Sequence, residues 1–157
     1  MPFNVILCPA SHLDAVRNYE LSVEKPVKIA EEERARLRAP HHGDIRVWGA
    51  KSKVQWDKAK TGDLLVFVRS GAAFACARCL GTQDNAAMAA HAWQAMEWPY
   101  LFYVEAPLAI SIPVVQMNAA LGYSPKYKIR QLLVLTDSQS SALMELMQSS
   151  LPVHTSR

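Results

Sequence analysis

The sequence predicts an α+β domain with a small mixed or barrel-like β-sheet flanked by short helices, and three observations carry that prediction. Short apolar runs rich in β-branched and aromatic residues recur at 3–8, 45–50, 64–69, 73–81, 100–114 and 130–135. Between them lie brief stretches with helical spacing and capping residues, an alternation typical of α+β layering. No repeat, linker or shift in composition divides the 157 residues, a length suited to one domain with a real core.

The run FNVILC reads as a buried first strand. SHLDAVRNYEL follows, with Ser11 at an N-cap position and Leu13, Val16 and Tyr19 spaced along one helical face, and Pro26 ends the region. AEEERARLRA (30–39) carries acids at its front and arginines at its back, in line with a helix dipole, with Glu32 and Arg36 four apart. It is expected as a short solvated helix, broken by Pro40-His41-His42-Gly43. IRVWGA is a strand, and KVQWDKA is a helical turn stopped at Thr61-Gly62-Asp63. LLVFVR and AFACARCLG form a hairpin around Ser70-Gly71-Ala72. DNAAMAAHAWQAME (84–97) is an alanine-rich helix with Asp84 as N-cap and Pro99 beyond it. YLFYVEAPLAISIPV gives one or two strands interrupted at Pro107. VVQMNAALG gives a short helix ending at Gly122, RQLLVL a last strand, and SQSSALMELMQSSL a closing helix with a frayed tail at 151–157.

Half the residues are apolar and a fifth are charged, which is globular composition. No apolar run approaches the roughly 18 residues of a membrane span. The opening MPFNVILCPASHLD has neither the basic region nor the long apolar region of a signal peptide. Three cysteines, Cys8, Cys76 and Cys79, cannot all pair internally, so a soluble protein of the reducing cytoplasm is expected. The net charge is +3, and a pI near 8.8 falls short of a strongly basic nucleic-acid binder. Charge is clustered, however, at Lys51, Lys53, Lys58 and Lys60 and again at Lys126, Lys128 and Arg130. Such clusters read equally as phosphate contacts or as solvated surface.

Catalytic and metal-binding signatures are scarce. Cys76-Ala77-Arg78-Cys79 has C-x-x-C spacing, but it lies in an apparent strand, where residues three apart point to opposite faces. His41-His42 has no ligand-spaced partner, so buried structural cysteines are expected, with no metal and no cofactor. There is no G-x-S-x-G, no P-loop and no G-x-G-x-x-G. The tryptophans are more informative. Trp93 and Trp98, five apart, would lie about 140° from each other on a continuing helix. A break before Pro99 can turn Trp98 back toward Trp93. From the residues alone, either both rings pack the helix on the sheet or they line a pocket.

The order of these segments resembles the PUA-like superfamily, in particular its YTH and EVE branches, over roughly residues 3 to 135. FNVILCPASHLDAV is similar to the opening strand, polar segment and helix of YTH domains. RVWGAKSKVQWDKA resembles their strand ending in tryptophan, and LLVFVRSGAAFACARCLG their paired strands. AWQAMEWPYLFYVEAPLAI resembles the helix, tryptophan pair and extended segment that follow, and Gly62-Asp63 through Phe67 is similar to the strand start of EVE domains. The resemblance implies one PUA-like domain over 1–157, in which residues 20–43 are longer than the YTH connection and stand as an insertion.

The resemblance further implies a non-catalytic reader that flips a modified base of DNA or RNA, such as N6-methyladenine or 5-methylcytosine, into an aromatic cage. Its walls would be Trp48, Trp93 and Trp98, with Ser11 and Asp14 as polar contacts to the base edge. Lys51, Lys53, Lys128 and Arg130 would meet phosphates, and Trp56 would be core or rim. The implied partner is a nucleic acid carrying a modified base, with no membrane. A restriction or defence setting adds a nuclease subunit, attached or separate. On this reading Trp93→Ala removes the preference for methylated strands without unfolding the protein. Two alternatives stand beside it: a small enzyme of the same superfamily acting on a modified nucleoside, with Lys51, Asp14 or Glu97 as catalytic group, and a protein-interaction module whose tryptophans are all core.

Overall fold

The computed structural model describes residues 3–40 and 43–150. The His41-His42 break and the tail expected at 151–157 lie outside them. The elements are β1 (Val5–Pro9), α1 (Leu13–Ser22), a 3₁₀ turn (Glu31–Glu33) running into α2 (Arg34–Leu37), β2 (Arg46–Ala50), α3 (Lys53–Trp56), β3 (Leu64–Arg69), β4 (Ala72–Asp84), α4 (Ala86–Trp93), β5 (Tyr100–Val104), β6 (Leu108–Pro113), α5 (Val114–Leu121), β7 (Leu133–Val134) and α6 (Asp137–Ser150). The strands form one sheet in the order β2-β5-β4-β3-β1-β7, with β6 also paired to β4. β1 runs parallel to β3 and the other pairings are antiparallel, so the sheet is mixed.

β1 is a continuous apolar run because it lies between β3 and β7 with both faces covered. Its side chains alternate: Ile6 and Cys8 pack with Tyr19 of α1, Trp48, Phe67 and Phe102, whereas Val5 and Leu7 pack with Met117 of α5 and Leu143 and Met147 of α6. The β3–β4 hairpin turns through Ser70 and Gly71 at φ 53° and 80°, the paired left-handed conformation of a type I′ turn. β4 is long enough to serve two neighbours. Its first half pairs with β3 and β6, and its second half pairs with β5 from Cys79 onward, across a register shift between Cys79 and Gly81. The Gly62-Asp63 turn joins the start of the sheet. The buried Asp63 carboxylate accepts hydrogen bonds from the backbone N–H of Asn4 (2.9 Å) and of Lys60 (2.8 Å).

Cys76 and Cys79 fall in clusters on opposite sides of the sheet, as strand geometry requires. Among the described residues no His, Cys, Asp or Glu grouping could hold a metal ion. None of the described helices is long and apolar enough to cross a membrane.

Several boundaries differ from expectation, each for a local reason. α1 starts at Leu13, and its N-cap is His12, whose ring nitrogen accepts the Asp14 N–H at 3.4 Å, not Ser11. The 30–39 segment is half 3₁₀ turn, and its ion pairs are Arg34–Glu31 at 3.1 Å and Arg36–Glu33 at 2.9 Å rather than Glu32–Arg36. Nor is this stretch merely solvated. Leu37 is fully buried with Val27, Ile29, Met88 and Trp93, and Asn85 Nδ2 donates to the Leu37 carbonyl at 2.7 Å. Asp84 stays in the sheet opposite Tyr100, so Asn85 caps α4 instead, accepting the Met88 N–H at 3.0 Å. α4 stops at Trp93 because Gln94 turns left-handed, φ 58°. The last strand shrinks to Leu133–Val134, and residues 129–132 leave the sheet.

Candidate nucleic-acid interface

Where residues 129–132 leave the sheet, a cavity of about 820 Å³ opens. One wall is the end of β1 and the start of α1, contributing Pro9, Ser11, His12, Asp14 and Ala15. The floor is the second half of β2 and the turn beyond it, Trp48 through Ser52, with Gln55 of α3. Trp98 stands on one side, and Ile129, Arg130, Gln131 and Leu132 close the other. An open apolar cleft ringed by a few polar and cationic groups is the usual form of a small-ligand site.

Its two tryptophans are held differently. Trp48 is 5% exposed and packed at 84° to Phe67, with centroids 5.2 Å apart, so it is a core residue that also lines the cavity. Trp98 is half-buried and lies in the irregular segment after α4. Its ring meets that of Trp93 edge to face, and the Lys51 ammonium lies 5.1 Å from the ring centroid. Lys51 also pairs with Glu97 at 3.7 Å, in solvent.

Trp93 is not a cavity wall, which corrects the expected three-sided cage. It is 1% exposed, and its indole N–H donates to Ser22 Oγ at 2.9 Å, within the third core cluster. Trp93, the last residue of α4, packs onto the sheet with Val47, Leu101 and Tyr103. The chain then returns with Trp98 on the outer side. Gly49 makes this stacking possible: a Cβ there would lie 2.5 Å from Trp93 Cη2 and 2.7 Å from Trp98 Cβ.

The other expected site residues divide. Ser11, Asp14, Lys51 and Arg130 line the cavity with Trp48 and Trp98. Lys53 does not; it forms an i,i+4 pair with Asp57 at 3.2 Å on α3. Lys128 lines an adjoining depression of about 580 Å³, with Lys126, Tyr127 and Leu133, which shares Gln55, Arg130, Gln131 and Leu132 with the cavity. Trp56 is structural: its indole N–H donates to the Leu101 carbonyl at 3.0 Å and its ring packs on Tyr100. His12, Gln55, Ile129, Gln131 and Leu132 were not anticipated. Their signal was position alone, beside Ser11, Lys53 and Arg130. Gln55 is fixed by accepting the Val134 N–H at 2.9 Å.

No protein-family model matches the sequence, and no curated protein matches it. Solved structures do. The N-terminal domain of McrB from Thermococcus gammatolerans, solved bound to m5C DNA, is similar over 95% of this chain and 99% of that one, with 15% identity and a TM-score of 0.70. The fold is PUA-like. The YTH domain of the MRB1 protein of Zygosaccharomyces rouxii, solved with N6-methyladenosine RNA, is similar over 96% of this chain and 90% of that one, with 10% identity and a TM-score of 0.55. On this PUA-like scaffold the cavity lies where β1, the edge strand β2 and the returning 129–132 segment meet.

Proposed function

We propose that the chain is a non-catalytic reader of a modified base in DNA or RNA, which takes the flipped base into the cavity between Trp48, Trp98 and Leu132. The observation that carries this reading is the half-buried Trp98 ring, packed edge to face against Trp93 and lining an open apolar cleft together with Lys51 and Arg130. Stacking on such a ring contributes roughly 1–3 kcal/mol per base without regard to sequence. A methyl group in a close apolar slot adds on the order of 1–3 kcal/mol, a discrimination of about 10–200-fold. The rim cations supply affinity for the backbone that carries no sequence information. The solved neighbours that bind m5C DNA or N6-methyladenosine RNA support the same reading.

The cavity's charged and titratable side chains are open to solvent: His12 and Asp14 lie 4.0 Å apart at its wall, both exposed, and Lys51 is paired with Glu97, which suits binding at the rim. A reader of this kind fits as the recognition module of a modification-dependent restriction or defence system, with the nuclease as a further partner. The test is a binding panel of oligonucleotides bearing N6-methyladenine, 5-methylcytosine or no modification, as single and double strands, at two salt concentrations. A preference of at least about tenfold for one modified base supports the reading. Equal affinity for every strand overturns it.

A further inference from the structure

Beside the cavity, the 123–128 segment is built more firmly than a surface loop needs. The Tyr123 and Tyr127 rings pack together, 4.5 Å between centroids and 42° between planes. Tyr123 is anchored to α6, its hydroxyl accepting from Gln139 Nε2 at 3.2 Å. Tyr127 is anchored through its backbone. Its N–H donates to the Ser124 carbonyl at 3.0 Å, and its carbonyl accepts at 2.9 Å from Nδ2 of Asn118, a residue with no exposure at all. Yet Tyr127 itself is 39% exposed, with Lys126 and Lys128 as its chain neighbours. Among the described residues, neither lysine nor Arg130 makes an ion pair with a carboxylate.

A rigid, accessible aromatic between unpaired cations is the form taken by platforms for single-stranded nucleotides, where the ring stacks a base and the cations hold its phosphate. The depression at this platform shares Arg130, Gln131 and Leu132 with the cavity, so an occupant of one is continuous with an occupant of the other. We infer that this depression is a second nucleotide subsite, which stacks the nucleotide flanking the modified base on Tyr127 and holds the phosphate between them with Lys128 and Arg130. The inference rests on the reader function proposed above and adds to it a footprint of at least two nucleotides with a fixed strand direction.

Binding to a modified nucleoside monophosphate is compared with binding to dinucleotides extended by one unmodified nucleotide on the 5′ or the 3′ side, for the parent chain, Tyr127→Ala and Tyr127→Phe. The parent is expected to gain about tenfold from extension on one side only. Tyr127→Ala is expected to lose that gain while holding the monophosphate as before, and Tyr127→Phe, which keeps the ring, is expected to retain it. An equal gain in Tyr127→Ala and the parent overturns the subsite, as does a gain independent of side. A Tyr127-dependent gain with no preference for the modified base sinks the base-reading function and leaves the stacking platform standing.

Discussion

The Trp93 and Trp98 rings stand at 83° to each other with centroids 6.2 Å apart, the edge of one against the face of the other. One indole is sealed and hydrogen-bonded, and the other is half open. Two tryptophans five residues apart therefore do different work, and substitution separates them.

Replacing Trp98 with alanine is expected to abolish discrimination between modified and plain oligonucleotides while the urea midpoint falls only modestly. Replacing Trp93 is expected to cost about 3–5 kcal/mol of stability, the usual range for emptying a large aromatic site in a core. Urea denaturation followed by far-UV circular dichroism, with binding measured on the folded fraction, checks both. A stable Trp93→Ala protein lacking only its modified-base preference would restore Trp93 as a contact residue.

Gly49→Ala adds a methyl group where Trp93 and Trp98 already meet the backbone. Overpacking at such a point costs typically 1–3 kcal/mol, and Trp98, as the less confined of the two, is expected to move. Loss of modified-base affinity at least as large as the loss of stability is the predicted result, read by titration calorimetry alongside thermal melting. Unchanged affinity would show that the ring position does not govern binding.

Burial raises the Cys79 thiol to about 11 from an ordinary 9.0, and the Tyr103 hydroxyl to about 12 from 10.0. The Cys8 thiol, buried and close to Cys79, is pushed well above its usual value. In each case the folded state holds its proton more tightly than the unfolded chain. The resulting stability is complete below about pH 9 and is lost as pH rises, through 11 for Cys79 and through 12 for Tyr103. Urea midpoints are expected to be level from pH 7 to 8.5 and to fall above pH 9. The thiols are expected to react slowly with alkylating reagents at pH 8 until the protein unfolds. Rapid labelling of the native protein would contradict this placement.

Arg130→Ala is expected to weaken modified and unmodified strands alike and to lower the slope of log affinity against log salt by about 1. Lys53→Ala, at a residue paired with Asp57 away from the cavity, is expected to leave that slope unchanged. Fluorescence anisotropy across a salt series reads both. A change in base preference with Arg130→Ala would mean that the side chain reads the base rather than the backbone.

The parts of the molecule legible in the sequence are those governed by short-range pattern. The apolar runs of β1, β2 and β3, the Ser70-Gly71 hairpin and the Gly122 stop depend on neighbouring residues, and they appear where expected. The stop of α4 depends on Gln94, a residue with no special preference for the left-handed conformation it adopts, so the helix looked four residues longer. The resemblance implied both Trp93 and Trp98 as cavity walls; Trp98 lines the cavity, whereas Trp93 is sealed in the core. RQLLVL carries a strand pattern throughout, but β1 meets only its second half, pairing with Leu133 and Val134 and accepting the Leu135 N–H at Val5, and the preceding residues become a cavity wall. Leu37 looked like part of a solvated helix because its burial comes from α4, which is distant in sequence and invisible to local periodicity.

The Val5–Pro9 strand sits between Leu64–Arg69 and Leu133–Val134, so its backbone is fully paired only once a segment made much later has emerged. Pairings this distant make for slow assembly and leave a short apolar strand uncovered in the meantime. During synthesis this segment is the natural place for a chaperone to hold.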